Sequence, residues 1–183
     1  MNKKTWIAAA ITTFIISSPL FSMPEMVIGA AEMAPGIDLI FEGGIKDEIT
    51  PQNLYLTESE TDVHLELLAN WSDKAPRGAP IGGHVAYLDV EAMIRNEKTG
   101  AYDSVNLTPH LNMSDNIHYA QNIKLPGAVN DKYTVRFVIK SPKLGVIGMH
   151  FDWRNEVSDV ISSGGTFTFT NLNFKEIANS KRR

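Results

Sequence analysis

Cysteine is absent from all 183 residues. That excludes thiolate metal sites, disulfides and cysteine nucleophiles together. Any metal must be held by His, Met, Asp, Glu or the backbone. Positive charge is not in excess either: 17 Lys and Arg stand against 21 Asp and Glu. An acidic balance makes a poor partner for nucleic acid and suits cation binding. No G-x-S-x-G elbow, H-E-x-x-H helix, P-loop or G-x-G-x-x-G occurs, so the common catalytic and phosphate-binding signatures are missing. After the first 22 residues there is no apolar run long enough to span a bilayer. Nor is there a sustained 3.6-residue apolar stripe or an internal repeat.

What is present begins with "MNKKTWIAAAITTFIISSPLFS". Lys3 and Lys4 precede a short, mainly apolar core from Trp6 to Ile16, which Pro19 ends. This pattern predicts a secretory signal over residues 1–22, cleaved on export. Its loss removes Lys3 and Lys4, so the formal charge of −4 becomes −6. Export without cysteine points to a bacterial envelope protein rather than a small disulfide scaffold. Residues 23–36 read as an N-terminal extension. Its Met23, Met26 and Met33 are either soft ligands or ordinary gap-fillers. Residues 176–183, ending in "KRR", read as a frayed basic tail.

Between them the chain is β in character. Strands are predicted at 37–41, 62–69, 84–96, 101–107, 117–123, 132–140 and 165–174. Each alternates at period two or is rich in β-branched and aromatic residues. Gly- and Pro-containing stretches such as "NEKTG", "LPGAVND" and "SPKLG" punctuate them. Short strands between such turns predict one antiparallel β-sandwich domain over residues 37–175.

The clearest alternation is "TDVHLELLANW". Val63, Leu65, Leu67 and Ala69 share one parity, while Asp62, His64 and Glu66 share the other. A strand here turns the apolar set to a core and stands His64 beside Glu66 on the opposite face. That face is either a solvated surface or half of a metal site. His110 and His118 lie in "PHLNMSDNIHYA", read as a loop entering a strand. His150 lies in "GMHFDW", with Asp152 on its face if the segment is extended. His84 shares parity with Ala86, Leu88 and Val90 and reads as structural.

The segments "TDVHLE", "NIHYAQNIKLPG", "DKYTVRFVI" and "GMHFDW", in this order, resemble the periplasmic high-affinity iron-uptake proteins that accompany an inner-membrane iron permease. The likeness runs from Ile37 to Phe174. It implies an immunoglobulin-like antiparallel β-sandwich, a homodimer, periplasmic localisation and a copper site near the dimer interface. It also implies a role in iron acquisition, with iron as the transported ion. Matching positions for the family's ligands are His64, Glu66, His118 and His150. Where the family motif has Met after a proline, this chain has Pro109 and then His110, with Met113 the other candidate.

The expectation is therefore a metal-binding protein without enzymatic activity of its own, although a redox role toward iron stays open. Two rivals come from other classes: a zinc-dependent hydrolase with three histidines and Glu66 as base, and a metal-free adhesion sandwich. A histidine site with the reference pKa of ~6.5 predicts metal binding that weakens below about pH 6. Trp71, Trp153 and Tyr119 are the expected interface anchors.

Overall fold

A computed structural model describes residues 24–181, so the expected signal at 1–22 lies outside the described residues. Eight antiparallel strands carry the fold: β1 (Glu25–Met33), β2 (Ile37–Gly44), β3 (Val63–Trp71), β4 (Asp89–Asn96), β5 (Tyr102–Leu111), β6 (Ile117–Ile123), β7 (Tyr133–Lys140) and β8 (Gly165–Leu172). They form one continuous sheet in the order β1-β2-β3-β6-β5-β4-β7-β8. The sheet folds over on itself because β5 serves both layers. Its first part, Tyr102 to Leu107, pairs with β4. Its last part, Thr108 to Leu111, pairs with β6. The far edges, β1 and β8, approach each other closely, so the all-β architecture is a nearly closed barrel. At that approach Gly29 leaves room for the Phe169 ring, which any β-carbon would strike.

The predicted apolar parity faces inward. Val63, Leu65, Leu67 and Ala69 of β3 are fully buried, as are Val135 and Phe137 of β7. Phe41 of β2 joins the layers, with its ring centroid 4.7 Å from Phe137, 5.3 Å from Phe167 and 4.9 Å from Phe169. Burial of this aromatic and aliphatic set is the main driving force for the fold.

The structure departs from the sequence reading at both ends. Over its described residues the expected extension at 23–36 is no loose lead-in: β1 runs antiparallel along β2 from Glu25 to Met33. Met33 is buried and Met26 packs on the core, so both fill gaps, and Met23 lies outside the described residues. The expected basic tail holds helix α2 (Lys175–Asn179), whose Ile177 and Ala178 are buried. The strand predicted from 84 starts at Asp89, and His84 makes only an isolated bridge to Asn70. Two expected anchors are internal. Tyr119 is fully buried, its hydroxyl donating to Val85 O and accepting from Leu88 N–H. Trp71 is buried under Trp153, which belongs to helix α1 (Phe151–Glu156). No helix among the described residues is long and apolar enough to cross a membrane.

Candidate metal centre

The polar parity of β3 lies on the outer face of its layer, and strand register decides what it meets there. Paired residues on neighbouring strands point the same way. Gly44 of β2, His64 of β3 and Asn122 of β6 form one row. Glu42, Glu66, Ala120 and Thr108 form the next. His118 and His110 face each other directly across β6 and β5. The grid thus surrounds one small residue, Ala120, with His64, Glu66, His110 and His118 around it.

This outer face is not solvated. His64, Glu66, His110 and His118 retain only 6%, 5%, 9% and 1% of their exposure. The cover is the β2–β3 connection, residues 45–62, which roofs a cavity of about 380 Å³. Its residues Ile45, Asp47, Ile49 and Tyr55 line that cavity together with the histidines and Glu66.

One nitrogen from each of His64, His110 and His118 lies within 4.8 Å of the others. Glu66 Oε1 is 3.9 Å from His64 Nε2, and Glu66 Oε2 is 4.0 Å from His118 Nε2. Those distances are too long for hydrogen bonds. Two donors bonded at ~2 Å to a common ion sit ~3–4 Å apart, so the spacing suits an ion between them. Among the described residues, Glu66 Oε2, His110 Nδ1 and His118 Nε2 are buried without a hydrogen-bond partner. Leaving such groups unpaired costs about 1–3 kcal/mol each, which a bound cation would recover. Gly44 completes the cradle: a β-carbon there would collide with Glu66 Oε1.

The other ring nitrogens are held. His64 Nδ1 lies 2.7 Å from Asn122 Oδ1, His118 Nδ1 is 3.2 Å from Asn116 O, and His110 Nε2 is 3.3 Å from Thr108 Oγ1. A metal-ligating imidazole ordinarily engages its second nitrogen in this way.

Electrostatics favour the same occupant. Burial pushes the Glu66 carboxyl up to about 8, helped by the charges of Asp115, Glu25 and Glu42. Burial, together with the neighbouring His64 and His118, lowers His110 to about 4. His64 and His118 are also lowered, chiefly by burial. Near neutrality the imidazoles are uncharged and their lone pairs available, and a cation would draw the proton from Glu66. The donor set of imidazoles and one carboxylate suits Cu, Zn, Fe or Ni.

The profile of the Fe2+ transport protein family matches residues 22–175. The chain belongs to that family. Solved structures of similar fold include a copper-bound variant of FetP from uropathogenic Escherichia coli strain F11. It has a TM-score of 0.67 and 22% identity, over 82% of this chain and 99% of that one. A copper-bound variant of Campylobacter jejuni P19 gives 0.70 at 25% identity, over 80% of this chain and 95% of its own. Copper-reconstituted P19 gives 0.69 at 25% identity, over 80% and 94%. No curated protein matches the chain.

Of the ligand positions that the resemblance to this family implies, His64, Glu66 and His118 come together, and His110 joins them. His110 stands on β5 rather than in a loop, because the segment to His118 is a hairpin with Asn112 N–H bonded to Asn116 O. Met113, at the hairpin tip, is fully exposed and outside the cavity lining. His150 does not reach the cluster within one chain. It precedes α1 instead of lying in a strand, so the face expected to be shared with Asp152 is not formed. Trp153 of α1 meets Trp71 edge-on, with ring centroids 5.9 Å apart. Trp71 is seven residues along β3 from His64, roughly 23 Å at ~3.3 Å per residue. His150 therefore sits toward the opposite end of the barrel, and it is exposed there. Asp62 also turns away, accepting from Leu125 N–H and Lys124 Nζ at 2.9 Å each.

The sequence reading overlooked Gly44 and Asn122. Asn122 had a signal, since it shares parity with His118 on β6. Gly44 had none without the register to β3.

Proposed function

We propose that the mature chain is a periplasmic metal-binding component of an iron-uptake system, working beside an inner-membrane iron permease. Copper is its resident metal and iron its transported ion. His64, Glu66, His110 and His118 hold the copper on an immunoglobulin-like scaffold. The observation that carries this reading is the convergence of buried, unpartnered ligand atoms on one cavity. Family membership and the copper in the FetP and P19 structures support the choice of ions. Bound copper would supply a redox-active cation. The protein's own part is to exclude water, hold the imidazoles neutral and collect positive charge through Glu25, Glu42 and Asp115. The chain is a carrier rather than an enzyme.

The reading includes a homodimer. Leu144, Val146 and Phe151, all within six residues of exposed His150 in sequence, are strongly exposed apolar residues. Contiguous apolar exposure marks an interaction surface. A second copy seated there would let His150 approach the partner subunit's cavity, which it cannot do within its own chain.

The test is elemental analysis of protein exported to a bacterial periplasm, then stripped and reloaded. Copper bound at one ion per chain, and lost in His64→Ala and His118→Ala, is the expected result. Protein that takes up no metal, or takes zinc in preference to copper, overturns the reading.

A further inference from the structure

The β2–β3 connection does more than roof the cavity: its main chain holds the side chain of Asn122. Both amide hydrogens of Asn122 are spent on that connection, one on Asp47 O and one on Leu56 O, at 2.8 Å each. Carbonyl oxygens only accept, so the Asn122 nitrogen must face them. Its Oδ1 is thereby left facing His64 Nδ1 at 2.7 Å. That oxygen also only accepts, so the proton sits on His64 Nδ1 and the lone pair on Nε2. His64 Nε2 is the nitrogen that faces Glu66. Asn122 is 2% exposed, so water does not compete for any of these bonds.

The same connection grips a second imidazole. The Tyr55 ring meets His110 edge-on at 4.9 Å, and the Tyr55 hydroxyl lies 3.4 Å from Thr108 Oγ1, the atom beside His110 Nε2.

We propose that Asn122 is a positioning residue that locks His64 in the tautomer presenting Nε2 to a metal, and that seating of residues 47–56 and metal affinity are one linked equilibrium. Asn122 reads the position of the connection through two carbonyls and passes it to the ligand through one oxygen. A displaced connection frees the amide to rotate, and His64 then loses its fixed tautomer. The linkage to metal rests on the copper reading, whereas the tautomer lock does not.

The experiment uses histidine-labelled, metal-free protein and long-range proton–nitrogen correlation spectra at neutral pH. Wild type is expected to show His64 in a single tautomer with Nδ1 protonated. A wild-type spectrum with Nε2 protonated, or with averaged nitrogen shifts, overturns the proposal without any variant. Asn122→Asp keeps an acceptor beside Nδ1 but loses both donors. Its His64 should keep the tautomer while the amides of 47–56 exchange faster with solvent, and unchanged exchange counts against the proposal. Asn122→Ala should mix the tautomers and weaken Cu(II) binding ~10–100-fold, the usual effect of removing such a support. An Asn122→Ala spectrum with one unchanged tautomer defeats the lock. Adding Cu(II) to wild type should slow amide exchange across 47–56, and unchanged exchange in a sample with verified copper uptake defeats the linkage. A sample taking up no copper at all defeats the copper reading instead, and the metal-free spectra still decide the lock.

Discussion

Glu66 sets the chemistry of the cavity at the level of single residues. In the folded, metal-free chain it holds its proton up to about pH 8, whereas its ordinary value is 4.5. The folded state thus carries the extra proton between those limits, and stability falls as pH rises through that window. Lowered histidines act in the opposite sense below 6.5, where the unfolded chain takes up protons that the folded chain refuses. Unfolded imidazoles are still half protonated at about pH 6.5, so the histidine effect fades only by about pH 7.5 and partly offsets the carboxyl effect below that. Glu66→Gln keeps the histidines and removes the carboxyl. Relative to that variant, metal-free wild type should lose about 1–2 kcal/mol between about pH 6.5 and 8, at ~1.36 kcal/mol per pH unit before the carboxyl itself titrates. Denaturant titrations of both proteins at the two pH values check it. Copper affinity should correspondingly keep rising up to about pH 8. Imidazoles alone predict a change confined to about pH 6. The difference arises because burial raises the Glu66 carboxyl to about 8, while it also keeps His110 neutral down to about 4.

His110 makes a second prediction at this scale. Imidazole is a harder and stronger donor than thioether, so it favours Cu(II) over Cu(I). His110→Met should strengthen Cu(I) relative to Cu(II) at least tenfold, raising the copper potential by ~59 mV or more for one electron. Met113→Leu should change neither affinity, since Met113 stands in solvent. Paired Cu(I) and Cu(II) competition titrations decide between the two residues.

Among the elements, the β5–β6 hairpin does most for the site, because it delivers His110 and His118 opposite each other. Its turn closes through Asp115 N–H to Asn112 Oδ1 at 2.6 Å and Asn112 Nδ2 to Asp115 Oδ2 at 2.7 Å. Asn116 takes a φ of 58°, in the left-handed region. Asparagine tolerates that region, but a β-branched side chain does not. Asn116→Val should therefore cost about 1–2 kcal/mol. It should also disturb His118, whose Nδ1 donates to the Asn116 carbonyl. Asn116→Gly should keep both stability and copper affinity. Thermal melts and copper titrations of the pair check this. Helix α2 shows the other way an element forms here. Five residues cannot hold a helix alone, since nucleation is costly. Burial of Ile177 and Ala178 against the barrel holds it in place.

For the whole molecule, the barrel separates two ends, both of which serve the site in the proposed dimer. One carries the roofed histidine cavity, and the other carries exposed His150, with exposed Leu144, Val146 and Phe151 near it in sequence. A symmetric dimer that pairs unlike ends would complete two sites at once. Phe151→Ser combined with Leu144→Asp should shift the protein to monomers in sedimentation experiments at micromolar concentration. The same double variant should weaken copper binding to the level of His150→Ala. Wild-type protein that sediments as a monomer, with and without copper, contradicts the arrangement.

Several features were legible in the sequence because they depend on neighbours along the chain. Alternation from Val63 to Ala69 determined which side chains of β3 face the core and which face outward. Absence of cysteine determined that any metal donors would come from His, Met, Asp, Glu or the backbone. The ordered segments from "TDVHLE" to "GMHFDW" carried the resemblance to the iron-uptake proteins. Strand β1 was hidden because Gly29, Ala30 and Ala31 dilute its alternation, and its pairing with β2 had to supply the order. What only the tertiary structure decided rests on contacts between residues far apart in sequence. Asn122 reaches His64 across 58 residues, Leu56 across 66 and Asp47 across 75. The change of partner within β5 put His110 in the cluster, and the packing of α1 on Trp71 kept His150 out of it. Pattern along a strand fixes the face of each side chain, but only strand pairing and burial fix which faces meet and how dry the meeting place is.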